Sequence, residues 1–188
     1  MPNIRIAGGR QKGRKLHSTS VIGFRPTSER VRSAVYSMIG VGVIEGARVL
    51  DLYAGIGSFG IEALSRGAVR ADFVEENSLR CKDIRTTLSN TGLSEYAQVR
   101  QGKVEKILTK MNASYDLIFM DPPYSFNLWD QLMELITESG VLKDKCTVIA
   151  EHMYKQQLED GYGRLEKSHS RRYGDTSISI YAVRESDG

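Results

Sequence analysis

Asp121-Pro122-Pro123-Tyr124 brings a carboxylate, two rigid residues and an aromatic ring into one tetrapeptide. Proline fixes φ and has no N–H to donate, so carbonyls in this stretch point outward with few conformations to choose from. The set suits a planar amine. The carboxylate and one carbonyl accept its two N–H bonds, and the Tyr124 ring stacks on the base that bears it. A Pro-rich turn with a solvated Asp121 is the reading that the tetrapeptide alone leaves open. A glycine loop upstream weighs against it.

That loop is Ala54-Gly55-Ile56-Gly57-Ser58-Phe59-Gly60, between a strand over residues 48–53 and a helix. Gly55 and Gly57 lack Cβ atoms and let backbone come close to a nucleotide-like ligand at a helix N-terminus. Glu75 ends the next strand, where an acid can accept both hydroxyls of a ribose. Alone, the loop does not choose between a dinucleotide and S-adenosyl-L-methionine. Asp51 offers a carboxylate to a ligand amino group, a cationic sulfonium tolerates neighbouring acids, and Asp121-Pro122-Pro123-Tyr124 has no part in hydride transfer. All three favour S-adenosyl-L-methionine.

The elements that must position these groups follow from pattern. Apolar strands over 48–53, 71–75, 97–100, 115–120 and 146–151 alternate with helices after Gly60 and over 78–89, 103–110 and 128–139. Leu128, Leu132, Leu135 and Ile136 form the expected inner face of the last of these. Alternation of this kind predicts an α/β, Rossmann-like fold, doubly wound and mostly parallel, with ligands at the carboxyl ends of strands; the cofactor motifs make it a methyltransferase fold. Residues 163–172 and 176–183 are expected to close the sheet as an antiparallel pair around Tyr173-Gly174-Asp175. At the other end, 3–7 and 14–17 read as a small β-hairpin around Gly8 to Gly13. A helix follows, capped by Thr27 or Ser28, with Val31, Ala34, Val35, Met38 and Ile39 on its apolar stripe. Arg30 and Arg32 lie off that stripe, free to face a partner or merely solvent. The division expected is an N-terminal basic extension over 1–27 and a methyltransferase domain over 28–188.

The formal charge of +3 conceals an asymmetry. Residues 1–32 carry eight basic residues against one acid, and the remainder carries 18 against 22. A basic arm on a mildly acidic body is a nucleic-acid footprint. Glycines in the arm let amides approach phosphates while Arg and Lys neutralise them. No apolar run nears the ~20 residues of a membrane span, and Met1 to Arg5 lacks a secretory h-region. Cys81 and Cys146 are isolated, and His17, His152 and His169 show no ligand spacing, so no metal site is expected. A cytoplasmic location is the simplest.

Taken together, Ile4 to Arg14, Arg25-Pro26-Thr27-Ser28-Glu29-Arg30-Val31-Arg32, Val49 to Gly57, Phe73-Val74-Glu75, Asp121 to Tyr124 and Tyr173-Gly174-Asp175-Thr176 resemble the bacterial RsmD family over nearly the whole chain. The resemblance implies methylation of guanine N2 in 16S ribosomal RNA by a monomer acting on a small-subunit particle. It implies catalytic roles for Asp121, Pro122, Pro123 and Tyr124. Asp51, Tyr53, Ala54, Gly55, Gly57 and Glu75 would hold S-adenosyl-L-methionine, and Arg5, Arg10, Lys12, Arg14, Arg25, Arg30 and Arg32 would hold RNA. The family carries an acid after the third strand that contacts adenine. Gly102-Lys103 stands there in this chain, so adenine is expected on the backbone of Lys103 and Val104. N6-adenine methylation of DNA or RNA is the rival within the same chemistry. A non-catalytic RNA-binding assembly module and a nicotinamide oxidoreductase are the rivals outside it.

Overall fold

The computed structural model describes residues 4–19 and 29–184. One eight-stranded sheet crosses the molecule in the order β3-β2-β1-β4-β5-β8-β7-β6. The first five strands, β1 (Arg48–Leu52), β2 (Arg70–Glu75), β3 (Ala97–Gln101), β4 (Tyr115–Met120) and β5 (Leu142–Met153), are parallel. Next to β5 run the antiparallel β8 (Thr176–Val183), β7 (Leu165–Tyr173) and the short β6 (Gly161–Tyr162). Strand order reverses between β1 and β4, so their carboxyl ends flank a crevice that no crossover helix covers.

Alternate residues of each strand feed two cores, one on either face. Val49, Phe73, Leu117, Phe119 and Ile149 pack against helices α1 (Glu29–Ile39), α2 (Ser58–Ser65) and α3 (Ser78–Thr91). Leu50, Val74, Ile118, Met120 and Val148 pack against α4 (Val104–Leu108) and α5 (Trp129–Glu138). The expected elements are present, with β5 four residues longer at its start than its apolar run. There Lys143, Asp144 and Lys145 disguise the strand, and its pairing slips between Tyr115 and Leu117. On α5, Trp129 takes the buried place expected of Leu128, which stays 47% exposed beside the helix start.

The N-terminal hairpin forms with one bridge, Arg5 to Lys15, and is held by Ile6 and Leu16 in the first core. It lies on α2 and α3. The Gln11 amide donates to Ser65 Oγ (2.9 Å), the His17 amide to Thr87 Oγ1 (2.8 Å), and Arg14 Nη1 to the Asn90 carbonyl (2.8 Å). This cover explains why every residue of α2 is buried, where periodicity predicts one inner face.

The expectation that Arg32 is free for a partner is overturned. Arg32 is fully buried, with Nε 2.7 Å from Glu62 Oε2 and Nη2 donating to the Arg5 carbonyl (2.7 Å). Glu62 Oε2 also accepts the Ala7 amide (3.1 Å), and Oε1 accepts Arg66 Nη2 (2.7 Å). A buried charge needs a partner, and the one available to Arg32 lies thirty residues on. Arg25 and the caps at Thr27 and Ser28 fall outside the described residues.

Glu62→Gln leaves the Arg32 guanidinium without a charge partner in the interior. Urea titration is expected to register a loss of about 3–5 kcal/mol of unfolding free energy. The double replacement Arg32→Met with Glu62→Met removes both charges and is expected to recover at least half of that loss. A double variant as unstable as the single one would refute the ion-pair account.

Candidate active site

The crevice between β1 and β4 opens into a cavity of about 1340 Å³. Asp51 stands at its floor, 1% exposed, near the end of β1. Its Oδ2 accepts the Gly60 amide (2.9 Å) in the first turn of α2. Burial raises the Asp51 carboxyl well above the usual carboxylate range, and the neighbouring Asp121 and Glu75 raise it further, while the Gly60 amide works against them. Any Cβ at position 60 would meet the Phe73 ring at 2.4 Å and Asp51 Oδ2 at 3.1 Å, so this amide reaches the carboxylate only from a glycine.

Glu75 fixes the other side of the loop. Its Oε2 accepts the Gly55 amide and its Oε1 the Asn77 amide, both at 2.8 Å. Each carboxylate oxygen keeps a second lone pair for a ligand hydroxyl. Asn77 then caps α3, accepting from Leu79 and Arg80 amides. Gly57 precedes α2 at φ 74°, where the left-handed turn and packing from Phe73, Ile84 and Ile61 at 3.1–3.3 Å exclude a side chain. Tyr53 takes a left-handed backbone without being glycine, at φ 56°. Its hydroxyl donates to Glu105 Oε1 (2.8 Å), and its ring tilts against Phe126.

Asp121 sits one residue past β4, and its amide reaches back to the Leu52 carbonyl (3.5 Å) across the crevice. Pro122 is buried; Pro123 and Tyr124 are exposed. The Pro123 carbonyl accepts the Phe126 amide (2.8 Å). The Pro122 carbonyl has no hydrogen-bond partner among the described residues, which leaves it available beside Asp121. Tyr124 is 47% exposed, and its hydroxyl lies 3.4 Å from Thr176 Oγ1. Phe59 and Phe119 stack at 4.0 Å under the same cavity and make its wall rigid.

Asp51, Tyr53, Ala54, Gly55, Glu75, Lys103, Val104 and Asp121 to Tyr124 all border this one space, as does Arg30. Gly57, expected among the cofactor-binding residues, is not on its lining and instead precedes α2. Lys103 lies at the head of α4 with its amine 3.9 Å from Glu76, and Val104 is buried. Arg5, Arg10, Lys12 and Arg14 lie apart from the cavity, on the hairpin; Arg10 and Lys12 are exposed at its tip. Sequence reasoning missed Glu105 and Glu151 on the lining, as well as Arg171, Arg172, Tyr173 and Thr176 from the β7–β8 turn. The turn was legible as Tyr173-Gly174-Asp175-Thr176, but nothing in its spacing told that it reaches the crevice. Among the described residues no group of three or more His, Cys, Asp or Glu is arranged to hold a metal ion.

The residues present fit S-adenosyl-L-methionine. A buried acid with two further acids nearby disfavours its own ionisation and favours a ligand that brings positive charge. Enzymes that move a methyl group from this cofactor are built on the same sheet and switch point, and the chain is one of that class. A profile described as Conserved hypothetical protein 95 matches residues 4–182, and the chain belongs to that family, the RsmD family. Bacillus subtilis YlbH is 34% identical over 184 residues, 96% of this chain and 100% of that protein. Ribosomal RNA small subunit methyltransferase D of Escherichia coli K12 is 29% identical over 185 residues, 98% of this chain and 92% of that one. The solved structure of Escherichia coli yhhF superposes with a TM-score of 0.84 at 27% identity, covering 97% of this chain and 99% of that one.

A carboxyl raised on folding costs stability where it must ionise. The cost is complete above its folded pKa and vanishes below its unfolded value of about 4. Asp51→Asn keeps an acceptor for the Gly60 amide without the charge. The ligand-free variant is expected to melt above the wild type at pH 8, by about 2–4 °C per kcal/mol relieved. The gap should close as pH falls towards 4. A variant that melts lower at pH 8 would contradict the assignment.

Proposed function

We propose that this chain transfers a methyl group to the exocyclic N2 of a guanine in 16S ribosomal RNA, with the small-subunit particle as substrate and the enzyme working as a cytoplasmic monomer. The observation that carries the reading is the single cavity shared by Asp51, Glu75, Asp121 and Tyr124. The relative named for small-subunit ribosomal RNA spans nearly the whole of this chain, hairpin included, which supports the same substrate. No helix among the described residues is long and apolar enough to cross a membrane.

When bound, S-adenosyl-L-methionine supplies an electrophilic methyl group on a sulfonium. Asp51 accepts the amino group of its amino-acid end. Glu75 accepts the ribose hydroxyls on lone pairs that the Gly55 and Asn77 amides leave open. Ala54 and Gly55 would offer it their backbone, Tyr53 would close the side by Glu105, and Lys103 with Val104 would hold the adenine end.

On the other side, Asp121 and the Pro122 carbonyl accept the two N–H bonds of the amine. A guanine amine is a poor nucleophile because its lone pair is delocalised into the ring. Two acceptors out of the ring plane favour a pyramidal nitrogen whose lone pair points towards the donor half of the cavity. Pro123 spends its carbonyl on the Phe126 amide, which locks the turn that aims Asp121. Tyr124 stacks on the extruded base, a contact worth ~1–3 kcal/mol. Holding the two reactants in line supplies most of the acceleration, ~7–11 kcal/mol at best. Asp121 need not be a strong base, since the nitrogen turns acidic once methylated.

Residues 1–27 serve as an RNA-binding extension on the 28–188 methyltransferase domain. Arg10, Lys12 and Arg14 meet phosphates at its tip, with Arg5 pinned to the Gly13 carbonyl (2.6 Å) behind them. Arg25 belongs to the same proposal, and Arg30 extends it to the cavity rim. Arg32 does not, because it is buried.

Asp121→Ala, assayed by tritium transfer to ribosomal substrate at saturating cofactor, is expected to lower turnover at least ~100-fold. Turnover near the wild-type value would remove Asp121 from the mechanism, and nucleoside mass spectrometry of the product distinguishes guanine N2 from adenine N6. Neutralising Arg10, Lys12 and Arg14 together is expected to weaken RNA binding and to flatten its dependence on salt. Equal affinity at every salt concentration would count against the arm.

A further inference from the structure

The β7–β8 turn meets the mouth of the cavity with groups that the base pocket does not use. Arg171 and Arg172 are consecutive, exposed, and both on the cavity lining. Strand pairing sends them to opposite faces of the sheet. Arg171 lies across from Ile178, which pairs with Glu151; Arg172 lies across from Ser177, which pairs with His152. The turn is therefore a saddle with a guanidinium on each flank.

Arg172 is held in place. Its Nε donates to the Gly174 carbonyl (2.7 Å), and its guanidinium lies 3.5 Å from the centre of the Tyr154 ring. Tyr154 is 49% exposed, and its amide is fixed by the Asp175 carbonyl (2.8 Å). Arg171 lies 5.5 Å from the Tyr173 ring. Beyond Tyr154 a second, polar depression of about 620 Å³ opens, bordered by Lys155, Ser170, Ser177 and Ser179 and, at its far side, by Glu159, Asp160 and the Lys167 that pairs with Asp160 (2.9 Å). The Arg172–Tyr154 stack forms the ridge between the two depressions.

We propose that this saddle is a track for an unpaired RNA strand. The nucleotide next to the extruded base crosses the β7–β8 turn, its phosphates taken by Arg171 and Arg172 and its base stacked at Tyr154 on the edge of the second depression. The assignment rests on the RNA reading above. Guanidinium forks match phosphate oxygens, and interleaved cations and exposed rings are how proteins hold single strands. A paired duplex keeps its bases stacked on each other and has none to offer Tyr154, so the track selects an unwound or looped segment.

The test is fluorescence anisotropy with a short labelled RNA, single-stranded or annealed to its complement, over a range of potassium chloride concentrations. The wild type is expected to prefer the single strand. Arg171→Gln with Arg172→Gln is expected to weaken that binding about tenfold and to make log K against log salt shallower by about 0.7 for each phosphate no longer neutralised. Lysine at both positions keeps the charge and should keep the slope. Tyr154→Ala is expected to cost about fivefold or more, and Tyr154→Phe little, because the ring carries the stacking. Unchanged affinity and slope in the glutamine double variant, or equal binding of duplex, would overturn the track. Methyl transfer by the wild type, measured alongside, separates the two readings. Binding losses without transfer keep the track and sink the methylation; transfer with binding unchanged does the reverse.

Discussion

Negative charge held out of water at the point where strand order reverses is the constraint on which the rest of the structure depends. Parallel register places Asp51 of β1 beside Phe119 of β4, and Asp121 follows two residues on. Asp51 is buried, and Asp121 and Glu75 both act to keep it from ionising. Such an arrangement makes ionisation of Asp51 costly, and a positive ligand beside it offsets that cost. The glycines, the turn at Gly57 and the shared amides of Gly55 and Gly60 exist to hold those acids where a ligand can reach them.

Most of this frame was legible in the residues. The alternation of apolar strands and helices fixed the sheet, and the two motifs at the ends of β1 and β4 fell together because parallel strands end at one edge. Failures came where tertiary partners override local pattern. Arg32 reads as a surface cation on helical spacing, and only the fold reveals Glu62 behind it. Leu128 and Trp129 exchanged places because a helix start offers one of them the core and not its neighbour. The first half of β5 hides behind three charged residues that sit at an irregular register.

The largest omission was the β7–β8 turn. Its residues lie fifty positions beyond Asp121 in sequence, and no periodicity carries across that gap. The antiparallel return of β8 against β5 brings Thr176 level with Met153 and sets it under Tyr124. Strand pairing over so long a separation is a property of topology, which single-sequence patterns do not encode. The cavity is accordingly assembled from every parallel strand end together with one antiparallel hairpin, so its two halves belong to different parts of the chain.

Glu62 joins the hairpin root, α1 and α2 in one buried knot, and α2 begins at the glycine loop. At the hairpin tip the backbone is tied to Ser65 of α2, while Arg10 and Lys12 are exposed. Those charges can be exchanged or lost at small cost to folding. The root has no such freedom: Arg32 and Glu62 change in concert or not at all, while position 5 lends the knot only its carbonyl. Charge at the tip is thereby independent of the packing that carries the glycine loop.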